Sequence, residues 1–263
     1  MKNINLEKLY IGLVLFFLYL PIIILIIYSF NSSKMNIIFD NFTFDWYKNL
    51  FYNNELLEAF FNTMIIAIVS TVLSTVIGTI SAIGLFKYNF KLKSFINILI
   101  YIPIVIPEIV LGISLLSMYT LVKLDLGIFT LILSHIAFSI PFVIVSVRST
   151  LSNMIKTYEE AAYDLGASKF ATFYKVTLPL IMPGVVSGAT LAFTLSLDDV
   201  VISYFTAGPG SNTLPLKIYS MIKTGITPDV NALSTLMLAA TIIILSSSVI
   251  IQSRKIVSRG DIN

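Results

Sequence analysis

Acidic residues occur within stretches of this sequence that are otherwise apolar enough to cross a membrane. These residues are Glu108, Asp198 and Asp199. A carboxylate at the centre of a membrane span costs about 2.5 to 3.5 kcal/mol on insertion scales, so it normally faces a bundle interior or an aqueous cavity and carries function. Because few basic residues lie in the same stretches, these acids could attract a cationic substrate.

The position of each acid along its span predicts where the acids meet. At a rise of about 1.5 Å per residue, all three fall in the outer half of the bilayer, toward the extracellular mouth. Asp199 is three residues from Ser196, so on an unbroken helix we expect Asp199, ahead of Asp198, to face the pathway beside Ser196. The alternative is that Asp198 and Asp199 only mark the solvated outer end of a span.

Trp46 is a further residue that could contact a cation. It lies in the aromatic segment NFTFDWYKNL at 41–50, in a connection predicted to be extracellular. Its ring face could stack on a cationic substrate at the outer mouth. Alternatively, Trp46 and Tyr47 belong to an interfacial aromatic belt at the level of the lipid headgroups. The sequence leaves both interpretations open.

Motifs for intrinsic catalysis are missing from the sequence. It contains no Walker A pattern, no nucleophile elbow and no H-E-x-x-H, and it has no cysteine for a thiolate ligand or nucleophile. The single histidine, His135, is expected to form an interhelical hydrogen bond rather than to ligate a metal or carry protons. We therefore predict a protein that is not an enzyme and has no cofactor and no metal site.

The composition indicates a polytopic membrane protein. Hydrophobic residues make up 57% of the 263 and charged residues only 12%, which a soluble core does not explain. The net charge of +3 forms no basic stripe, so a nucleic-acid partner is not expected. Stretches of roughly 20 apolar residues are long enough to span a bilayer. The predicted spans are 9–30, 60–86, 95–122, 127–147, 178–201 and 233–251.

The distribution of basic residues predicts the orientation of these spans. Most of the 17 lysines and arginines fall in the segments that are cytoplasmic if the N-terminus is inside. Both termini are then cytoplasmic. Two spans also carry small residues at every fourth position, which lets helices approach closely and predicts packing surfaces. These positions are Ser70, Ser74, Gly78 and Ala82, and Gly184, Gly188, Ala192 and Ser196.

A polar insert at about 150–177 interrupts the apolar sequence on the predicted cytoplasmic side. Thr157 and Glu160 fit a capping box, which predicts that a helix starts there. Gly166 fits a left-handed C-terminal cap, and Ser168 can begin a second short helix. Pro179 then marks the return to apolar sequence. We expect a compact knob of two short helices.

This insert resembles the EAA loop of ABC-importer permeases. The matching residues are Glu160-Ala161-Ala162, Gly166 and Val176-x-Leu178-Pro179, with Val176 in place of the usual isoleucine. The resemblance implies that the knob is a coupling helix that docks on a separate ATPase subunit. The coupling residues that it implies are Glu159, Glu160, Ala161, Ala162 and Gly166.

The rest of the chain resembles the spermidine/putrescine permeases, and within them the PotC-type subunits. The similarity is carried by SLDDVVIS at 196–203, TAGPG at 206–210, Trp46-Tyr47 and Ile106-Pro107-Glu108. It implies an all-α fold of six transmembrane helices, the type I ABC importer permease (MetI-like) fold, as one domain over 1–263 in a bacterial cytoplasmic membrane. The implied partners are a second homologous permease subunit, two ATP-binding subunits and an extracytoplasmic polyamine-binding protein.

Other functions remain compatible with these features. An ABC permease for another cation or small solute would share the same framework. An ion-coupled secondary transporter would use the acids as proton or sodium sites but would not need the cytoplasmic knob, and the two halves show no clear inverted repeat. An integral membrane enzyme would need a nucleophile or metal constellation that the sequence lacks.

Overall fold

The computed structural model describes residues 3–33, 38–224 and 228–260, which are almost entirely helical. A π-helical turn at Phe173–Thr177 joins two of the helices. The α-helices are α1 (Asn3–Tyr28), α2 (Asp45–Leu50), α3 (Asn54–Lys87), α4 (Lys93–Val105), α5 (Glu108–Leu121), α6 (Ile128–Arg148), α7 (Asn153–Asp164), α8 (Lys169–Thr172), α9 (Leu178–Leu197), α10 (Val201–Thr206), α11 (Leu214–Thr224) and α12 (Pro228–Gly260).

Several helices are long and apolar enough to cross a membrane. In the described part of the chain these are Leu6–Tyr28, Asn54–Lys87, Ile128–Arg148 and Lys169–Leu197, and the bent pair α4 and α5 makes a fifth if it is counted as one span. The all-α, polytopic character is therefore confirmed. The sixth predicted span, 233–251, falls on α12, whose described apolar part is the shorter Pro228–Ile243.

The predicted span 95–122 is not a continuous helix. It breaks between α4 and α5 with a bend of 110°. Ile106 is extended (ψ 135°) and so is Pro107 (ψ 134°), because a proline disfavours helical backbone in the residue before it and lacks an amide for the helical ladder. Pro103, by contrast, is accommodated within α4. Glu108 is consequently the first residue of a new helix instead of a mid-span residue.

The described chain divides into two compact units. One unit comprises Met1–Leu57 and Lys217–Ile243, and the other Glu58–Leu216 and Ile244–Asn263. The organisation of 1–263 as one permease domain stays a prediction. Within the second unit, α6 packs against α9, α4 and α10, and α5 packs against α10.

The prediction that the small residues of α3 and α9 form packing surfaces is confirmed, because glycines from both sets lie against α6 and the turn that follows it. A Cβ at Gly78 would lie 2.7 Å from the Val143 side chain, and a Cβ at Gly188 would lie 3.1 Å from the Val143 Cα. A Cβ at Gly184 would lie 2.6 Å from the Thr150 hydroxyl oxygen. Larger residues at these positions would force α3 and α9 away from α6.

Candidate functional site

The polar insert forms the expected pair of short helices, but the first helix starts earlier than predicted. Helix α7 begins at Asn153, after Ser152 in an extended conformation. The predicted capping box of Thr157 and Glu160 is therefore wrong, because both residues lie inside the helix, where preceding turns already supply partners for their amides. Ser168 does begin α8, and its hydroxyl accepts a hydrogen bond from the Ala171 amide at 3.3 Å.

The predicted cap at Gly166 is confirmed. Gly166 has φ 82°, which residues with a Cβ rarely adopt. Its amide donates to the Tyr163 carbonyl at 2.8 Å, and the Ala167 amide donates to the Ala162 carbonyl at 2.9 Å. These two bonds form a Schellman motif, which satisfies carbonyls that the end of α7 would otherwise leave unpaired.

Glu159 anchors the knob to the remainder of its unit. Its side chain is buried, and its Oε1 lies 2.6 Å from the Lys87 Nζ at the end of α3. The Thr177 hydroxyl, in the π-helical turn, donates to the same oxygen. The Lys156 ammonium lies 5.4 Å from the Phe86 ring centroid and makes a second link to α3. Glu159 thus faces inward, and its proposed role in coupling would be exerted through these contacts.

The remaining predicted coupling residues lie at the surface of the knob. Glu160, Ala161 and Gly166 are exposed, and Ala162 is half-buried. The knob also exposes large apolar side chains, among which Leu165 is 89% exposed. The others are Met154, Tyr158, Tyr163, Phe170 and Tyr174. Such a concentration of apolar and aromatic side chains on a polar loop is typical of a protein interface.

The three acids meet where two helix breaks face each other. Glu108 starts α5, and Asp198 and Asp199 lie in the link between α9 and α10. Glu108 is close enough to Asp198 and Asp199 to interact electrostatically with both, so the three acids lie in one region. Their position toward the extracellular mouth stays a prediction. In the part of the chain that the structure describes, no group of three or more His, Asp or Glu residues is arranged to hold a metal ion.

The expectation that Asp199 faces the pathway ahead of Asp198 is wrong for this arrangement. The Asp199 side chain is only 4% exposed. Its Oδ2 accepts hydrogen bonds from the Ser203 amide and hydroxyl, each at 2.7 Å, and its Oδ1 accepts one from the Ile202 amide at 3.2 Å. Asp199 therefore caps the start of α10. The exposed residues are Asp198 and Glu108.

Ser196 is also buried instead of facing an open pathway. Its hydroxyl lies 2.6 Å from His135 Nδ1 and 3.2 Å from the Ser70 hydroxyl. His135 Nε2 lies 3.2 Å from the Ser203 hydroxyl and 3.5 Å from Asp199 Oδ2. The prediction that His135 forms interhelical hydrogen bonds is confirmed. The sequence reasoning missed Ser203, although an aspartate just before a short helix is a recognisable capping signal.

Trp46 belongs to the first unit and has a structural partner there. Its indole Nε1 donates to the Asn31 carbonyl at 2.6 Å, and the side chain is half-buried. The neighbouring Tyr47 hydroxyl lies 2.6 Å from the Ser29 hydroxyl, and its ring lies 5.2 Å from that of Phe30. These contacts fix the orientation of the indole. Contact of Trp46 with a substrate stays a prediction.

Apolar spans, a broken helix beside an acidic link and a polar knob with an apolar surface together define a membrane transport subunit that works with a partner. Residues 74–259 match the family of binding-protein-dependent transport system inner membrane components. The chain belongs to this family and is a multi-pass protein of the bacterial inner membrane.

Characterised relatives extend the similarity over nearly the whole chain. The spermidine/putrescine transport system permease protein PotC of Escherichia coli (strain K12) is 43% identical over 94% of this chain and 94% of its own length. The protein of the same description from Haemophilus influenzae is 39% identical, over 99% of this chain and 100% of its own. The putrescine transport system permease protein PotI of Escherichia coli is 38% identical, over 85% and 82%.

Solved structures share the fold at low sequence identity. A chain of a bacterial ABC transporter involved in the import of the acidic polysaccharide alginate superposes with a TM-score of 0.70, at 15% identity, over 95% of each chain. A chain of the inward-facing MetNI methionine ABC transporter superposes with a TM-score of 0.62, at 20% identity, over 74% of this chain and 94% of that chain. The expected MetI-like architecture is consistent with both.

Proposed function

We propose that this chain is a permease subunit of an ATP-driven importer that carries polyamines, spermidine or putrescine, across the cytoplasmic membrane. The observation that carries the proposal is the 43% identity to an Escherichia coli protein of that description over 94% of both chains. The acid site is consistent with it, because polyamines are flexible chains of ammonium groups, for which carboxylates are the natural partners.

Glu108 and Asp198 are the carboxylates available to such a substrate. Both are exposed and near each other, and within the described residues neither forms a salt bridge with a lysine or arginine. Two adjacent negative charges attract a cation more strongly than either alone. Ammonium groups entering from outside would therefore contact Glu108 and Asp198. The buried Asp199 and Ser196 would act indirectly, by holding the link between α9 and α10 in place.

The knob couples this movement to ATP hydrolysis on a separate subunit. Its exposed apolar residues would pack into the ATPase, and Glu160 would lie at the edge of that contact. Closure of the ATPase dimer would move the knob, and the Glu159 contacts with Lys87 and Thr177 would transmit that movement to α3 and α9. The complex would contain six spans in this chain with both termini cytoplasmic, a second permease subunit, two ATPase subunits and an extracytoplasmic polyamine-binding protein.

Uptake of labelled polyamine tests the substrate and the acid site together. The complex is reconstituted in proteoliposomes with the loaded binding protein outside and ATP inside. Asp198→Asn is expected to lower the initial rate of spermidine uptake about tenfold, the equivalent of about 1.4 kcal/mol. Asp125→Asn is the matched control, because Asp125 is an exposed acid in the connection between α5 and α6. Equal rates for the two variants would contradict the role of Asp198.

A permease for another solute is the main alternative, because the same fold also serves in an importer of an acidic polysaccharide. Failure of an assembled complex to take up any polyamine would favour it. Uptake that survives ATP depletion but collapses with the proton gradient would instead favour an ion-coupled transporter.

A further inference from the structure

The side chain of His135 bridges the break between α9 and α10. Its Nδ1 lies 2.6 Å from the Ser196 hydroxyl, in the last turn of α9. Its Nε2 lies 3.2 Å from the Ser203 hydroxyl in α10 and 3.5 Å from Asp199 Oδ2 in the link. His135 itself lies on α6 and is buried, so one ring holds both ends of the interruption.

We propose that His135 is a positioning residue that fixes the link at 198–200 and so holds the Asp198 carboxylate beside Glu108. This inference rests on the proposed function of that acid pair in contacting the cationic substrate. Asp198 is the C-cap residue of α9, with φ −107° and ψ 2°, and its amide donates to the Thr194 carbonyl at 3.3 Å. The contacts of Ser196 and Asp199 on either side constrain the backbone at Asp198, and with it the position of its carboxylate.

The hydrogen-bond pattern assigns a direction to this network. The Ser203 hydroxyl has one proton and donates it to Asp199 Oδ2 at 2.7 Å, so it can only accept from His135 Nε2. In a neutral ring, Nδ1 then accepts a hydrogen bond from the Ser196 hydroxyl. Ser196 in turn accepts from Ser70 at 3.2 Å. The Ser70 hydroxyl also lies 3.3 Å from the Ala67 carbonyl, which it can donate to instead. The network thus connects α3, α6, α9 and α10, and its direction is fixed from Asp199 to Ser196.

A positioning role differs from a general packing role in what it predicts for Asp198. If His135 acts only through the placement of that carboxylate, its removal should have little effect once the carboxylate is gone. If His135 only stabilises the bundle, its effect should be the same with or without the carboxylate. A double-mutant cycle separates these two cases.

The experiment measures the initial rate of spermidine uptake in the proteoliposomes described above. The variants are His135→Leu, His135→Gln, Asp198→Asn and the double variant His135→Leu/Asp198→Asn. Ser134→Ala is the matched control, because Ser134 is the adjacent buried residue of α6 and its hydroxyl bonds to Tyr119 at 2.9 Å, away from the link. Gel filtration of each complex confirms assembly before rates are compared.

We expect His135→Leu to lower uptake about five- to tenfold, a loss typical of removing neutral hydrogen bonds, here those to Ser196 and Ser203. His135→Gln should recover most of the rate, because its amide can donate to the Ser203 hydroxyl as the ring does. The double variant should be no slower than Asp198→Asn alone, and Ser134→Ala should stay within about twofold of the parent. If His135→Leu does not assemble, Ser203→Ala replaces it, since the Ser203 hydroxyl joins the ring to Asp199.

Additive losses in the double variant would overturn the positioning role while leaving the proposed function intact. A parental rate for His135→Leu, or a rate for His135→Gln as low as that for His135→Leu, would overturn it equally. If Asp198→Asn alone transports at the parental rate, the proposed acid site fails and the role of His135 fails with it.

Discussion

The substitution Glu159→Gln tests how the knob is attached to the transmembrane helices. In the native chain the Glu159 carboxylate binds the Lys87 ammonium at 2.6 Å and accepts the Thr177 hydroxyl proton. Glutamine keeps the shape and can still accept from Thr177, but it removes the charge that Lys87 faces. The variant therefore isolates the ionic contribution to the link between α7 and α3.

The size of the effect follows from the burial of the two side chains. Breaking a fully buried ion pair by removing one partner costs about 3 to 5 kcal/mol. Here the Glu159 side chain is 9% exposed but that of Lys87 is 27% exposed, so the ammonium can turn toward water. We expect a loss of about 1 to 2 kcal/mol, between the buried and the surface limits. For a chain of this size, that corresponds to a fall of about 5 °C in the unfolding midpoint.

Two measurements on the purified complex check this expectation. Thermal unfolding of the complex in detergent reports stability, and ATP hydrolysis stimulated by the loaded binding protein reports coupling. Glu160→Gln is the matched control, because the same change is made one residue later on an exposed side chain. Glu160→Gln should leave the midpoint unchanged, since an exposed carboxylate contributes little to stability. Glu159→Gln should lower both the midpoint and the stimulated hydrolysis.

The double variant Glu159→Gln/Lys87→Met provides the refutation. Removing the unpaired ammonium should recover much of the lost stability, because the methionine still packs its stem against the surface. Stimulated hydrolysis should stay low if the ion pair transmits movement. The fall in midpoint of the double variant is compared with those of Glu159→Gln and Lys87→Met measured singly. If it equals their sum, Lys87 and Glu159 do not act together. An unchanged midpoint for Glu159→Gln would refute the anchor itself.

Two further substitutions on the knob have distinct expected outcomes. Gly166→Ala should destabilise the end of α7 by about 1 kcal/mol because of φ 82°, although a Cβ there meets no atom within 4 Å. Gly84→Ala, in open space within α3, is the control and should instead stabilise the chain by about 0.5 to 1 kcal/mol in the same thermal measurement, because alanine favours helical backbone. Leu165→Asp should weaken binding of the ATPase subunit about tenfold or more in a pull-down titration, because an exposed leucine contributes about 1.5 to 3 kcal/mol when it is buried at an interface. Leu92→Asp is the control, because Leu92 is also exposed and lies in a segment predicted to be cytoplasmic. This variant should bind the ATPase subunit normally.

The positions of the spans could be predicted because apolar length is a local property. A run of about 20 apolar residues has few alternatives to crossing a membrane, and the helices follow the predicted spans closely where the structure describes them. Apolar length could not predict the break at Ile106 and Pro107. A proline allows either an uninterrupted helix or a complete break: Pro103 lies within α4, whereas the helix ends before Pro107. The sequence around each proline does not distinguish these outcomes, and α5 beyond the break packs on α10.

The start of α7 illustrates the same limit at the scale of a single cap. Both Ser152 and Thr157 are residue types that begin helices, and Thr157 also has a glutamate at the favoured spacing. The helix begins after Ser152, whose side chain makes no capping hydrogen bond, and the earlier start buries Ile155 in the core with Val147 and Ile181. Burial of a large apolar side chain outweighs the preference for one cap over another.

The acidic doublets explain why the site could be located from the sequence but not resolved into roles. Glu159-Glu160 and Asp198-Asp199 each consist of one buried and one exposed carboxylate. Adjacent residues on a helix point about 100° apart, so a doublet at the edge of a helix must present its two side chains to different surroundings. The buried member of each doublet is recognised by its partners, which are a basic side chain and a hydroxyl: Lys87 and Thr177 in one case, His135 and Ser203 in the other. Lys87, Thr177 and His135 are distant in sequence from the carboxylates that they contact, so only the folded chain shows which carboxylate holds the structure and which remains available to a ligand or a partner subunit.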